Sequence, residues 1–288
     1  MTQSTPWSCQ EKPFDSGSTG KVSSQRLKTS SSWNESVQGE MTINTDIERA
    51  KNLISKSNRI SALTGAGISV DSGIPDFKSE GGLWKRYDPH EYATLDSFNR
   101  DPTRFWTMGR ELAATIIKAE PNAAHRALAK LEADGKLQGI ITQNIDNLHQ
   151  LAGNKKVIEL HGNYLRACCT RCKAEYVGKK VHQRVAKGEI PPKCDKCGGV
   201  LKSEAILFGE PLPETPMENA VALCRDTDLM LVIGTSLSIY PAAILPKIAK
   251  NSGARVILVN LRGVNREDFA DIILTGRATE LVPLITKY

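Results

Sequence analysis

The sequence predicts an α/β fold: a mostly parallel sheet with helices on both faces, interrupted by a small inserted metal-binding module. Three observations predict it. Short apolar runs alternate with amphipathic helical segments, the arrangement that builds parallel sheets. The first run ends in a glycine turn, Gly65-Ala66-Gly67. Between Asn163 and Leu207 the rhythm breaks, and cysteines, prolines and lysines replace the apolar runs. With 288 residues, 40% apolar and 24% charged, the chain can bury a substantial core. No apolar run approaches the roughly 18–20 residues that span a bilayer. The start of the chain also lacks the apolar stretch of a secretory signal, so neither a membrane-embedded nor an exported protein is expected. A net charge of +6 is mild over this length, and the basic residues are interleaved with acidic ones, so direct binding to nucleic acid is not expected.

Residues 1–40 are rich in Ser and Thr, show no periodicity and are expected to be a disordered extension. Order is expected to begin at Met41. Thr45 and Glu48 form a capping box, and Ile47, Ala50 and Ile54 share one helical face. Arg59 to Thr64 reads as the first buried strand. Further strands are expected at 139–142, 156–160, 228–233, 255–259 and 271–274, and a helix at 121–134 with Pro121 at its start and Gly135 just past its end. The large domain is therefore expected over 41–162 and 208–288, with the inserted module over 163–207.

Four constellations carry chemistry. Gly65, Ala66, Gly67, Ile68 and Ser69 end the first strand, where glycines permit close backbone approach to a pyrophosphate and a following helix would point N–H groups at it. Val70 stands where the dehydrogenase fingerprint has its third glycine. The loop that follows, Ser72 to Lys78, packs a proline turn, a carboxylate (Asp76), an aromatic ring (Phe77) and a cation (Lys78) into a segment suited to covering a bound nucleotide. Gln143, Asn144, Ile145 and Asp146 follow a strand directly, so they face the same crevice. His161, in Glu159-Leu160-His161-Gly162-Asn163, sits at another strand end with a near-neutral pKa and a flanking glycine that would open space for substrate, a plausible general base. His125 and His149 read as structural. Cys169-x2-Cys172 and Cys194-x2-Cys197 present four thiolates that can surround one Zn²⁺ with no open position, a structural site. Cys168 competes as a ligand on sequence alone. Seven cysteines, four of them in such pairs, point to a reducing compartment, and a cytoplasmic location is expected. Gly234-Thr235-Ser236 and Asn260-Leu261 follow later strands and suit a second phosphate or adenosine contact.

In this order, GAGISVDSGIPDFK, TQNID, ELHGN, the two cysteine pairs, FGE, GTSL and VN resemble the sirtuin family of NAD-dependent protein deacylases over nearly all of residues 43–288. The resemblance implies a Rossmann-like large domain, a zinc-ribbon small domain, NAD in the cleft between them and an acyl-lysine protein or peptide entering as an added strand against Gly209-Glu210 and the loop after Gly234. It implies His161 as general base, Asn144 as ribose-positioning residue, Ile145 and Asp146 at the nicotinamide carboxamide and Phe77 as a shield for the sugar. Ala66, Gln143, Ser236 and Asn260 would touch the rest of NAD, and Gly65, Gly67, Val70, Asp76, Lys78, Gly234, Thr235, Leu261 and Ala278 would complete the cofactor site. The products would be free lysine, nicotinamide and O-acyl-ADP-ribose. Lys78 replaces the family's usual arginine and Ser203 a usual proline. Gly109 and Leu112 stand where the succinyl-preferring branch has its Tyr-x-x-Arg pair, which predicts a neutral acyl chain in an apolar, enlarged pocket, with Arg110 as the cation that could upset this. Two other readings are transfer of ADP-ribose to protein and a non-catalytic zinc-stapled NAD sensor.

Overall fold

A computed structural model describes residues 31–75, 82–264 and 268–287, of which 31–43 are described as backbone only. Asp76, Phe77 and Lys78 fall outside the described residues, as does the stretch 1–30. In chain order the strands are β1 Ile60–Thr64, β2 Leu137–Thr142, β3 Val157–Glu159, β4 Arg166–Cys169, β5 Glu175–Val177, β6 Leu201–Ser203, β7 Leu229–Ile233, β8 Arg255–Asn260 and β9 Ile272–Thr275. The helices are α1 Ser31–Lys56, α2 Pro89–Tyr92, α3 Leu95–Arg100, α4 Pro102–Lys118, α5 Ala123–Ala133, α6 Leu148–Ala152, α7 Gly178–Ala186, α8 Glu214–Asp226, α9 Leu245–Asn251 and α10 Ala278–Ile285.

Six strands form one parallel sheet in the order β3-β2-β1-β7-β8-β9. Its central strands are buried without alternation because both faces are covered. Every residue of β1 and β7 is buried. The period of two still shows in which core each side chain enters. Leu229, Leu231 and Ile233 meet Ile47, Ala50 and Ile54 of α1, Leu128 of α5 and Val282 of α10 on one face. Met230 and Val232 meet Ala220 and Cys224 of α8 and Leu245 of α9 on the other. Burial pushes the Cys224 thiol up to about 12, so this cysteine is an inert core residue.

Three expectations change. Helix α1 begins at Ser31, so Thr45 and Glu48 lie inside a helix and do not cap one. The apolar face at 47, 50 and 54 is as predicted, but the helix already runs through the position where the capping pair marks a start. Helix α5 is capped by Asn122, whose side chain accepts from Ala124 N and His125 N, and not opened by Pro121. The third change concerns the small module. Its antiparallel sheet, β5-β4-β6, shares a hydrophobic core with Phe98, Phe105, Trp106 and Leu112 of α3 and α4, and Trp106 Nε1 donates to Leu201 O at 2.8 Å. The segment from Leu83 to Ile116 therefore packs with the inserted module, although sequence position alone grouped it with the large sheet.

Candidate active site

The strand order reverses between β1 and β7, and in an open parallel sheet the crevice beyond the carboxyl ends at such a point is where ligands bind. The β1 loop and the β7 loop meet there. Gly67 N donates to Gly234 O at 2.8 Å and Gly65 N to Ile233 O at 3.1 Å. A Cβ on Gly67 would lie 2.8 Å from Gly234 Cα, and one on Gly234, whose φ is 63°, would lie 2.4 Å from Ile68 N. These glycines are required by the contact between two loops, a different reason from the pyrophosphate approach expected from sequence. The expected helix is also absent, replaced by two short 3-10 turns, Ala66–Ile68 and Val70–Ser72. The amides of Ile68 and Ser69 close these turns internally. Among the described residues, the N–H groups of Ala66, Thr235 and Ser236 donate to no protein acceptor. They are the donors left for an anion at the crevice.

Asn144 and Asp146, both buried, stand on the loop after β2. Asn144 Nδ2 donates to Gly65 O at 3.2 Å and to Ser69 Oγ at 3.1 Å, and Ser69 Oγ donates to Asp146 Oδ2 at 2.7 Å. Leu148 N donates to Asp146 Oδ1 at 2.9 Å. Burial raises the Asp146 carboxyl above its ordinary value, opposed by the hydrogen bonds from Leu148 and Ser69. Ser69 was not singled out as a site residue, although a hydroxyl two positions beyond the glycines is the signal that could have found it. Gln143 Nε2 donates to Thr235 Oγ1 at 2.9 Å and Asn260 Nδ2 to Thr235 O at 3.2 Å, which ties the ends of β2, β7 and β8 together. Ile145 O accepts from Tyr164 N at 2.9 Å.

His161 lies just past β3. Gln143 O is 2.9 Å from its Nδ1. A carbonyl only accepts, so Nδ1 carries the proton and Nε2 keeps its lone pair, the tautomer a base needs. Burial lowers the pKa of this imidazole from its ordinary value, and the bond to Gln143 opposes the shift. Glu159 and Asn163 hold the turn around it: Asn163 Nδ2 donates to Glu159 Oε1 at 2.6 Å and Arg166 Nη2 to Glu159 Oε2 at 2.7 Å. Gly162 does not open space for substrate. A Cβ there would lie 1.9 Å from Glu204 O, so the glycine admits the 204–206 chain, and Ile206 N donates to His161 O at 2.9 Å.

The remaining expected cofactor residues sort by exposure. Ser236 and Leu261 are exposed, Val70 stands 40% exposed on its turn, and Ala278 opens α10 with its methyl group in the core. Nearby, Arg277 and Thr279 both bind Asp71, which ties the turn after the glycine loop to α10. Gly109 does not enlarge a pocket either: the Tyr164 hydroxyl occupies the space, 2.2 Å from where a Cβ would be. Leu112 is buried and Arg110 exposed.

Cys169, Cys172, Cys194 and Cys197 bring their sulfurs within 4.8 Å of one another. The Sγ atoms of Cys169 and Cys197 are 3.5 Å apart, and those of Cys172 and Cys194 are 3.6 Å apart. A tetrahedron with zinc–sulfur bonds of about 2.3 Å has edges of about 3.8 Å, so the set fits Zn²⁺. Tyr176 Oη donates to Cys194 Sγ at 3.2 Å, and Gly199 is required because a Cβ would crowd Cys169 Sγ at 2.9 Å. Cys168 neighbours Cys169 on β4 and so points to the opposite face of the strand, which removes it as a ligand.

The fold and this site define a nucleotide-binding α/β protein with a buried amide and carboxylate and a half-buried imidazole at the sheet's switch point and a Cys₄ module beside it. A sequence model of the Sir2 family matches residues 65–241. The chain belongs to the Sir2 family. It is 45% identical over 237 residues to the NAD-dependent protein deacetylase of Caldivirga maquilingensis, covering 82% of this chain and 91% of that one. It is 42% identical to NAD-dependent protein deacylase 2 of Archaeoglobus fulgidus over 84% of this chain and 95% of that one. A solved Sir2 enzyme superposes with a TM-score of 0.79 at 41% identity, covering 84% and 97% of the two chains. A second structure, Sir2Af2 bound to a myristoylated histone peptide, superposes with a TM-score of 0.72 at 36% identity, covering 85% and 96%.

Proposed function

We propose that the crevice at the ends of β1, β2 and β7 binds NAD and that the chain is an NAD-dependent protein deacylase. The carrying observation is His161, fixed as the Nδ1–H tautomer by Gln143 O with Nε2 left as base, beside the Asn144–Ser69–Asp146 cluster. When bound, NAD supplies an activated ribose and nicotinamide as leaving group. Asn144 and Asp146 then hold the ribose and the carboxamide end, with Ile145. Ala66, Thr235 and Ser236 offer backbone donors to the diphosphate, and Asn260 and Leu261 line the adenosine end. Asp76, Phe77 and Lys78 belong to the loop expected to cover the sugar. His161 Nε2 would be the atom that accepts a proton from the sugar hydroxyls of bound NAD.

The substrate is an acyl-lysine protein or peptide. Phe208 N and O are already paired with Ala93 and Leu95, so an added strand would start at Gly209, which is exposed with open space around it. The Cys₄ set would hold one structural Zn²⁺ and staple the small lobe, which we take as 163–207 together with the α3–α4 segment; the rest of 41–162 and 208–288 form the large lobe. Among the described residues no helix is long and apolar enough to cross a membrane; the free thiols and the zinc set support a reducing, cytoplasmic setting. The reading is tested by nicotinamide release measured with and without an acetyl-lysine peptide. Release should depend on the peptide, and release that ignores it would refute protein deacylation.

A further inference from the structure

Two buried histidines beneath the site have no part in the chemistry above. His125, in the first turn of α5, is 0% exposed and His149, on α6, is 1% exposed, with ring centroids 4.9 Å apart. A chain of hydrogen bonds joins His149 to the site. Asn144 N donates to Thr142 Oγ1 at 3.1 Å, Thr64 Oγ1 lies 2.9 Å from Thr142 Oγ1, and His149 Nε2 lies 2.9 Å from Thr64 Oγ1. Thr64 Oγ1 donates its single proton to Thr142 Oγ1 and so must accept from His149 Nε2; the tautomer of His125 is fixed separately. Its Nδ1 accepts from Asn122 N at 3.3 Å, so its own proton is on Nε2. The ring nitrogens with no partner among the described residues are His125 Nε2 and His149 Nδ1. A second donor at His149 Nδ1 would bury two unmatched N–H groups on neighbouring rings. His149 Nδ1 is therefore the bare acceptor and Nε2 carries the proton, donating to Thr64, which donates to Thr142. Burial keeps both rings neutral.

From this chain we infer that His149 is a positioning residue: as an Nε2–H donor it orients the Thr64 and Thr142 hydroxyls that hold the Asn144 amide, and so fixes Asn144 between Gly65 and Ser69. The first turn of α5 thereby reaches both loops of the site, because Asn122 Nδ2 also donates to Ile68 O at 2.7 Å and Ser72 Oγ at 3.0 Å. The inference rests on the deacylase reading for its catalytic consequence and on geometry alone for the tautomer.

The test uses the full chain and three variants. His149→Gln keeps an N–H near the Nε2 position, His149→Phe removes it, and Thr64→Val removes the hydroxyl at constant shape. Nitrogen-15 NMR of the ligand-free protein should show His149 as the Nε2–H tautomer, unchanged through the range where free histidine titrates. Hydrogen exchange at the Asn144 amide should quicken in Thr64→Val and His149→Phe. In the same two variants kcat for deacylation should fall about tenfold, the effect of one lost hydrogen bond, with the peptide KM unchanged, while His149→Gln stays within about threefold of the parent. An Nδ1–H tautomer, parent-like turnover in Thr64→Val, or a folded His149→Gln as impaired as His149→Phe would overturn the inference. If the parent chain shows no acyl turnover, the deacylase reading fails, and the tautomer and exchange data still judge the relay.

Discussion

The proposed role of His161 as a base depends on one ring nitrogen being committed elsewhere, and Gln143 O makes that commitment. Replacing it by Ala should lower kcat by about 100-fold or more, the usual cost of removing a general base, while the affinity for NAD measured by calorimetry stays close to the parent. Burial lowers its pKa, so the neutral, basic form persists to lower pH. The acid limb of kcat/KM should fall below the ordinary histidine value, with a plateau through neutral pH. His125 gives a stability counterpart. Its pKa is about 4 in the fold against 6.5 for the free side chain, so between these values the unfolded chain binds the proton and the folded one does not. Stability should be unaffected by this group above pH 6.5 and decline as pH falls toward 4 by up to about 1.4 kcal/mol per unit. Chemical denaturation across that range, with His125→Phe lacking this part of the slope, checks it. The residue types at 144, 146 and 161 were legible in the sequence because polar side chains directly after apolar strands must face the crevice. The tautomer, the role of Ser69 and the true reason for Gly162 were not, because each depends on a partner from another strand or loop.

At the scale of elements, α4 shows how a face can be read without its partner. The spacing of Phe105, Trp106 and Leu112 marks a buried stripe, but only packing reveals that it lies against the zinc module. The Tyr164 hydroxyl against Gly109 is buried with no partner among the described residues. Gly109→Ala should therefore cost about 1–3 kcal/mol through overpacking, and most of that should vanish in the double variant Gly109→Ala, Tyr164→Phe, as a double-mutant cycle of unfolding free energies would show. With Gly109 filled, Leu112 buried and Arg110 exposed, these positions offer no cation to a charged acyl group, and an unpaired carboxylate in a dry pocket costs several kcal/mol. Acetyl-lysine should exceed succinyl-lysine in kcat/KM on one peptide; the reverse order would show a cation reaching the pocket from elsewhere. The cysteine pairs were legible outright, since four sulfurs at that spacing have few other uses. Cys194→Ser should lose the single zinc and lower the melting temperature of the small lobe, read by metal analysis and calorimetry, and a variant retaining full zinc would exclude Cys194 as a ligand.

For the whole molecule, the six-strand parallel order creates one crevice, and the loops of β1, β2, β7 and β8 converge on it through Gln143, Thr235 and Asn260. Strand existence was legible because buried parallel strands are uninterrupted apolar runs. The start of α1 and the two-segment make-up of the small lobe were not, since the Thr45–Glu48 pair marks a start that the helix runs through and chain order does not report packing. Chemically, this crevice couples NAD cleavage to removal of an acyl group from lysine. Mass spectrometry of the products from NAD and an acetyl-lysine peptide tests it most directly. Deacetylated peptide, nicotinamide and O-acetyl-ADP-ribose should appear in equal amounts; peptide that keeps its acetyl group, or that gains ADP-ribose, would rule out the coupling.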